Sequence, residues 1–281
     1  MRPLRVTRPA VKAVDVVLGY GSHTAVERSS FHIPRPGITA IIGPNGSGKS
    51  TILNVISGLL APISGTVEFP DTAGARPDIS YVLQTTKVND ALPVTVEEVV
   101  AMGRYSKRGR FKRLGKSDRD AVTEAMQRAG VDSIRRRHLH QLSGGQRQRT
   151  FIAQGMAQEH TLLLLDEPLS GIDLPTARAI DKVIHDEVED GCAVVITTHD
   201  LSEASVADHV ILLSGRVIAE GPPRNVMTTD NLTAAYGQSV LHPEFDVPVI
   251  DDPAHTPVDT RHTHRSFTHP ESDPDGVHRD S

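Results

Sequence analysis

The sequence predicts an α/β fold: a layered, mostly parallel sheet with helices between its strands. Three observations predict it. A short apolar strand, Ile38 to Ile42, runs directly into Gly43-Pro-Asn-Gly-Ser-Gly48-Lys49-Ser50-Thr51 and then an apolar helical face. Three later apolar runs, Thr161–Leu165, Ala193–Thr198 and Val210–Leu213, are separated by helical stretches. The first two of these lack the apolar–polar alternation of a half-exposed strand, as do strands covered on both faces of a parallel sheet.

Taken in order, residues 11–36 read as β-rich. Val14, Val16 and Leu18 alternate up to a turn at Tyr20-Gly21, and Phe31 to Ile33 is a second short strand. After Thr51, the residues Ile52, Leu53, Val55, Ile56, Leu59 and Leu60 make a broad apolar helical face, which Pro62 is predicted to stop. Ser64-Gly65 turns the chain into Thr66–Phe69, residues 70–78 read as a loop, and Ile79–Leu83 is a strand ending at Gln84. From about 85 to 140, helical periodicity replaces apolar strands, at Val96 to Met102 and Asp118 to Ala129. Between these helices lies a basic loop of Lys107, Arg108, Arg110, Lys112, Arg113 and Lys116. Leu213-Ser-Gly-Arg216 reads as a tight hairpin into Val217-Ile218, Gly221-Pro-Pro closes it, and Asn231–Tyr236 is a last short helix. Residues 239–281 are rich in Pro, Asp and His and are expected to be a disordered tail. The tail carries His242, His255, His262, His264, His269 and His278, six of the 14 histidines.

Composition narrows the function classes. A chain of 281 residues allows one large domain or two ordinary ones with an ample core. Its net charge of −5 argues against a nucleic-acid partner, and the basic loop holds only Phe111 for base stacking. That loop reads as a solvated segment or one near anionic lipid headgroups. The single cysteine, Cys192, excludes a disulfide framework and sits where core packing is expected. The N-terminal MRPLRVTRPA is basic without the apolar stretch of a signal peptide, and the apolar runs are too short to cross a bilayer. The expectation is a soluble chain whose membrane role, if it has one, comes through a partner.

The stretch from Gly43 fits G-x-x-x-x-G-K-[ST], the phosphate-binding loop. Gly43, Gly46 and Gly48 let the backbone curl so that successive N–H groups form an anion nest, with Pro44, Asn45 and Ser47 completing the loop. The following helix directs its N-terminal partial charge to the same place. Lys49 adds a full charge at the β/γ-phosphates, and the Ser50 hydroxyl can ligate Mg²⁺. A second anchor is Leu142-Ser-Gly-Gly-Gln-Arg-Gln-Arg149. Ser143 is a good N-cap, and Gly144 and Gly145 expose backbone N–H groups at a helix start just before Gln146. Two phosphate-facing helix starts in one chain either fold back onto one nucleotide or face two chains that sandwich it.

The order of Tyr20, GPNGSGKST, Gln84, LSGGQRQR, LLLLDEP, Gly171-Ile-Asp173 and His199 resembles that of an ABC transporter ATPase subunit over residues 12 to about 237. Within that family, VNDALPVTVEEVVAMGRY is most similar to the ATPases of zinc- and manganese-uptake systems. The resemblance implies a RecA-like P-loop NTPase core, an N-terminal antiparallel β subdomain and an α-helical subdomain at about 85–158, all within residues 1–238. It implies that Tyr20 stacks on adenine and that Gly43–Thr51 cradle the phosphates of ATP. It further implies that Asp166, with Ser50 and Gln84, helps to hold Mg²⁺, and that Glu167 deprotonates the attacking water. Gln84 would sense the metal or the water, His199 would contact the γ-phosphate, and Asp173 would lie in a dimer-contact loop. Ser143, Gly144, Gly145 and Gln146 would reach the nucleotide of a second ATPase subunit, which answers the geometric question in favour of a dimer.

The same resemblance implies an integral membrane permease, an extracytoplasmic solute-binding protein and a peripheral location on the cytoplasmic face of the membrane. The cargo it implies is zinc or manganese, with an iron-siderophore or other chelate as the alternative. ATPases of DNA repair share the motifs but need long heptad arms, absent here, and translation factors of the family usually carry two cassettes on one chain.

Overall fold

The computed structural model describes residues 9–72, 75–84, 93–105 and 113–237. The first elements, in order, are strands β1 (Val11–Tyr20), β2 (His23–Ile33) and β3 (Gly37–Ile42), helix α1 (Lys49–Ser57) and strand β4 (Ser64–Glu68). β1 pairs antiparallel with both β2 and β4 in a three-stranded sheet. β2 is far longer than the Phe31 to Ile33 stretch that the apolar pattern marks, because most of its residues face solvent.

The predicted alternation of Val14, Val16 and Leu18 is broken after its first member. Asp15 has φ 51°, and the β1–β2 register slips between Ala13 and Val16. The bulge places Val11, Ala13, Val16 and Leu18 on the buried face and leaves Val14 only half-buried. Pro62 does not end α1 either. Gly58 does, at φ 83°, donating its N–H to the Val55 carbonyl at 3.1 Å in a left-handed cap that suits glycine. Leu59, just past it, is 70% exposed and falls outside the apolar face.

Next come β5 (Ile79–Val82) and helices α2 (Val96–Met102), α3 (Lys116–Arg128) and α4 (Gly144–Ala157). Thr95 and Glu98 close a capping box on α2: Thr95 Oγ1 accepts the Glu98 N–H, and Glu98 Oε2 accepts the Thr95 N–H. Val96, Val99 and Val100 of α2, Val122 and Met126 of α3, and Ala153 of α4 meet in one apolar cluster. The stretch 85–92, the basic-loop residues Lys107, Arg108, Arg110 and Lys112, Phe111, and the tail 239–281 lie outside the described residues.

The second half supplies β6 (Leu162–Asp166), α5 (Leu174–Glu189), β7 (Ala193–Thr198), α6 (Leu201–Ser205), β8 (His209–Leu213), β9 (Val217–Gly221), α7 (Pro223–Val226) and α8 (Thr229–Tyr236). The six-stranded sheet has the order β5-β6-β7-β3-β8-β9, parallel except for β9 at the edge. β3, β6, β7 and β8 are buried along their whole length, which is why their sequences are continuously apolar. Ile41, Leu164, Val195 and Ile211 pack toward α1 and the antiparallel sheet. Ile42, Leu163, Leu165 and Val194 form the opposite face, in a cluster with residues of α5, α6 and α8. Each such fully buried side chain contributes about 1.5–3 kcal/mol.

A buried charged group joins the helical part to the sheet. His160, just before β6, donates from Nε2 to Glu187 Oε2 at 2.9 Å and from Nδ1 to the Gln158 carbonyl at 2.7 Å. Arg128 Nη1 reaches Glu187 Oε1 at 2.9 Å. Burial opposes the imidazolium, but the Cys192 side chain, Glu187 and the Gln158 carbonyl outweigh it and raise its pKa to about 10. A histidine raised in this way stabilises the fold fully below its unfolded value of about 6.5, and the contribution is lost as pH rises through the folded value. The wild-type protein should therefore lose more unfolding free energy between about pH 6.5 and pH 10 than His160→Gln, read from urea midpoints across that range. Equal pH slopes for the two proteins would show that His160 folds neutral.

Candidate functional site

β3, β5, β6 and β7 run parallel, so their C-terminal ends share one edge of the sheet. That edge is where open α/β sheets take ligands. The phosphate loop leaves β3, Gln84 follows β5, Asp166 ends β6 with Glu167 next, and His199 follows β7. The register places Ile42 beside Thr198 and Asp166 beside Thr197, so these groups meet without any loop having to reach far.

In the loop, Gly43, Gly46 and Gly48 have φ of 153°, 78° and 103°. At Gly43 a Cβ would stand 2.0 Å from the Leu213 carbonyl oxygen, and at Gly48 2.4 Å from Val26 Cγ2. Gly48 caps α1 with no side chain, so no side-chain oxygen accepts from the first-turn N–H groups. Lys49 is buried and donates from Nζ to the carbonyls of Gly43 at 2.8 Å and Pro44 at 3.1 Å. Burial lowers its pKa, against the charges of Glu167 and Asp166. Ser47 Oγ is buried with no hydrogen-bond partner, while Asn45, Gly46 and Ser50 are exposed. A cation, capless N–H groups and an unpaired hydroxyl around one glycine-shaped cradle fit a phosphate group, and the free Ser50 hydroxyl beside them fits a phosphate-bound Mg²⁺.

The two acids are set by one hydroxyl. Thr197 Oγ1 donates to Asp166 Oδ1 at 2.5 Å and accepts the Glu167 N–H at 2.9 Å. Glu167 takes φ 48°, a left-handed conformation that costs a non-glycine residue about 1–3 kcal/mol. Gln84 Nε2 donates to Glu167 Oε2 at 2.8 Å, which fixes the carboxylate from the other side. Beyond it, Glu167, Ser170, Gly171, His199, Asp200 and Glu203 line a cavity of about 210 Å³. Burial raises the pKa of Glu203 despite its hydrogen bond with Thr198. Asp200 caps α6 through the Ser202 N–H at 2.7 Å, which leaves the exposed His199 at the cavity rim.

Tyr20 ends β1 half-exposed, its hydroxyl accepting from Asn54 Nδ2 of α1 at 2.8 Å. Ser143 and Gln146 cap α4 reciprocally: Ser143 Oγ accepts the Gln146 N–H at 3.3 Å, and Gln146 Oε1 accepts the Ser143 N–H at 3.1 Å. Gly145 lies so close to α5 that a Cβ there would stand 2.8 Å from Thr176 Oγ1, whereas Gly144 faces open space. Asp173 caps α5, accepting the Thr176 N–H at 3.0 Å. The structure thus brings Gln84, Asp166, Glu167, His199 and Lys49 to one edge. It puts Ser143–Gln146 beside Asp173 and Thr176 instead. Three contributors go unmarked by any motif: Thr197, Glu203 and Asn54. For Thr197 the available signal is a pair of hydroxyls ending an otherwise apolar strand.

A phosphate cradle on the central strand β3, paired acids ending β6 two strands away across β7, and a glutamine poised over them define a phosphate-loop ATPase. The chain belongs to the ABC transporter family, whose family description matches residues 26–170. It is 38% identical over 241 residues to the chelated iron transport system membrane protein YfeB of Yersinia pestis, covering 84% of this chain and 81% of that one. It is 36% identical over 230 residues to the manganese transport ATP-binding protein MntB of Bacillus subtilis (strain 168), covering 81% and 92%. The zinc transport ATP-binding protein TroB of Treponema pallidum is 36% identical over 258 residues, covering 90% and 97%. Among solved structures, a dimeric bacterial ABC transporter cassette, MJ0796, superposes with a TM-score of 0.66 at 29% identity, over 76% of this chain and 99% of that one. The chain is accordingly an ABC transporter ATPase.

Thr197→Val keeps the shape of β7 and removes both hydrogen bonds to the acids. Two hydrogen bonds, each contributing about 1 kcal/mol, predict a fall in kcat of roughly 10- to 100-fold with nucleotide affinity nearly unchanged. Steady-state phosphate release and equilibrium nucleotide binding measure the two quantities. A loss of affinity with normal turnover would assign Thr197 to binding instead.

Proposed function

We propose that this chain is the ATP-hydrolysing subunit of an importer that energises uptake of a divalent metal ion, zinc or manganese, through a separate membrane permease. The observation that carries the hydrolytic part is the Gln84–Glu167–Thr197–Asp166 chain of hydrogen bonds at the strand ends beside Lys49. In this reading Lys49 leaves the Gly43 and Pro44 carbonyls for the β/γ-phosphates, and the N–H groups of Gly43–Thr51 surround them. Ser50, Asp166 and Gln84 hold Mg²⁺, which spreads the charge of the phosphates when bound. Glu167, its carboxylate aimed by Gln84, takes a proton from water. The oxygen of that water forms a bond to the γ-phosphorus as the bond to the β–γ bridging oxygen breaks, so ADP leaves with that oxygen. His199 meets the γ-phosphate, and Tyr20 covers the adenine.

Ser143, Gly144, Gly145 and Gln146 of a second copy complete each site, so the working unit has two ATP sandwiched between two cassettes. Residues 1–238 form the cassette, with a helical subdomain at about 85–158 and the tail 239–281 outside it. Among the described residues no helix is long and apolar enough to cross a membrane. In this reading the chain sits peripherally on the cytoplasmic face, docked on the permease. A solute-binding protein on the other side of the membrane would supply the ion. The names of MntB and TroB support manganese or zinc as cargo, and that of YfeB supports an iron chelate as the second reading.

Glu167→Gln removes the candidate base while keeping shape, so hydrolysis should fall by about 100-fold or more and a MgATP-dependent dimer should accumulate in light scattering. Hydrolysis at the wild-type rate would remove Glu167 from the role of base. For the cargo, cells lacking this gene should lose zinc or manganese uptake under metal limitation. Unchanged uptake of both with loss of iron-chelate uptake would establish the second reading.

A further inference from the structure

At the start of β8, beside Thr39 and away from the end of β3 that feeds the phosphate loop, His209 converges with His32 of β2 and Glu220 of β9. His32 Nδ1 stands 3.1 Å from Glu220 Oε1, and His209 Nε2 stands 3.6 Å from Glu220 Oε2. The two rings meet edge to face with centroids 4.6 Å apart. The His32 N–H donates to Glu220 Oε2 at 2.9 Å, which holds the carboxylate in place. His209 is 5% exposed, and its Nε2 is buried with no hydrogen-bond partner. A buried ring nitrogen that faces a carboxylate at 3.6 Å, just beyond hydrogen-bond reach, keeps a lone pair or proton without a close partner.

We infer that His32, His209 and Glu220 form a binding site for a divalent transition-metal ion, with zinc the best match to two imidazoles and one carboxylate. A tetrahedral zinc ion with bonds of about 2.0–2.1 Å holds its donor atoms about 3.3 Å apart. His32 Nδ1 stands 3.1 Å from one Glu220 oxygen and His209 Nε2 3.6 Å from the other, and one donor atom from each of the three residues lies within 4.8 Å of the other two. An ion there gives the orphaned His209 Nε2 its partner, and the His32 N–H serves as the outer contact that orients the carboxylate. Three protein donors leave the fourth position for water. His32 and Glu220 also line a cavity of about 740 Å³ with Lys12, Ser30 and Glu68, so that water can exchange with solvent.

The other cluster of this kind, His160, Glu187 and Cys192, shows what a filled arrangement looks like. There both imidazole nitrogens have partners, Arg128 occupies the second carboxylate oxygen, and Cys192 Sγ donates to the His160 carbonyl at 3.8 Å, so each donor group is already engaged. The His209 site also differs in what it joins. His32 belongs to the antiparallel sheet, and His209 and Glu220 belong to the six-stranded one. A bound ion would therefore pin the two sheets together at a point away from the phosphate loop, whatever cargo the permease carries.

The test is a zinc titration of the full-length protein against a chromophoric chelator, comparing wild type with His32→Ala and Glu220→Gln. The tail histidines are common to all three proteins, so their contribution cancels. The His32 side chain is exposed, and Glu220→Gln keeps the shape of a partly buried one. Wild type should bind one more tight zinc equivalent per chain than either variant, and affinity at that equivalent should drop by about 100-fold or more on losing a ligand. Cobalt should give the visible bands of a tetrahedral centre in wild type and lose them in both variants, and zinc should raise the wild-type Tm more than that of His32→Ala. Equal zinc stoichiometry and affinity, with the same cobalt spectrum in all three proteins, would overturn the site. His209→Gln, where it folds, should match the other two variants; zinc binding equal to wild type would overturn it equally.

Discussion

The Thr197 hydroxyl holds both acids of the site, and the rest of the edge is arranged around what it fixes. Its proton goes to Asp166 and its lone pair receives the Glu167 N–H, so one side-chain oxygen sets the direction of two neighbouring carboxylates. That is possible only because β6 and β7 are parallel with Asp166 opposite Thr197. A slip of one residue would turn Thr197 to the other face of the sheet and leave the buried Asp166 carboxylate without its donor. The register is carried by the ladder that runs from Leu162 opposite Ala193 to Asp166 opposite Thr197, between strands buried along their whole length. Function at the edge thus depends on packing well below it.

The same edge concentrates unfavourable terms that the fold must carry. Lys49 is buried beside carbonyls, Glu167 sits in a left-handed conformation, and Ser47 keeps an unpaired hydroxyl. Each is costly in isolation, by about 1–3 kcal/mol for a strained non-glycine residue or a buried polar group without a partner. They persist because the surrounding strands are buried along their full length. In the proposed function the backbone of such a site is organised for a polyanion in advance, and only the Lys49 side chain has to change partners.

What could be read from the sequence is what is local. The phosphate loop, the capping of α4 by Ser143 and the double-faced strands follow from residue types at fixed spacing, and they take the forms their spacing predicts. The β1 alternation failed because a bulge at Asp15 shifts the register; Asp takes a left-handed φ more readily than most residues, but a single Asp in VKAVDVVLGY also reads as an ordinary exposed strand position. The end of α1 was misplaced because a glycine cap acts one turn before a proline can. Thr197 and Glu203 stayed hidden for another reason. The two hydroxyls that end the apolar run of β7 mark Thr197 as unusual, but its partners lie at the end of β6, and the effect on Glu203 depends on burial, so neither role is written in a single run of residues.

The hydrogen bond from Asn54 to Tyr20 turns α1 into a ruler. Lys49 and Asn54 are on the same rigid helix, five residues apart, or about 7.5 Å along its axis. Val26 of β2 presses on Gly48 at the start of that helix, so the antiparallel sheet is clamped at both ends of the span. The aromatic ring and the cation cannot drift apart independently. In the function proposed above, a nucleotide that spans ring and cation meets a spacing that one chain sets before a second copy adds its own residues.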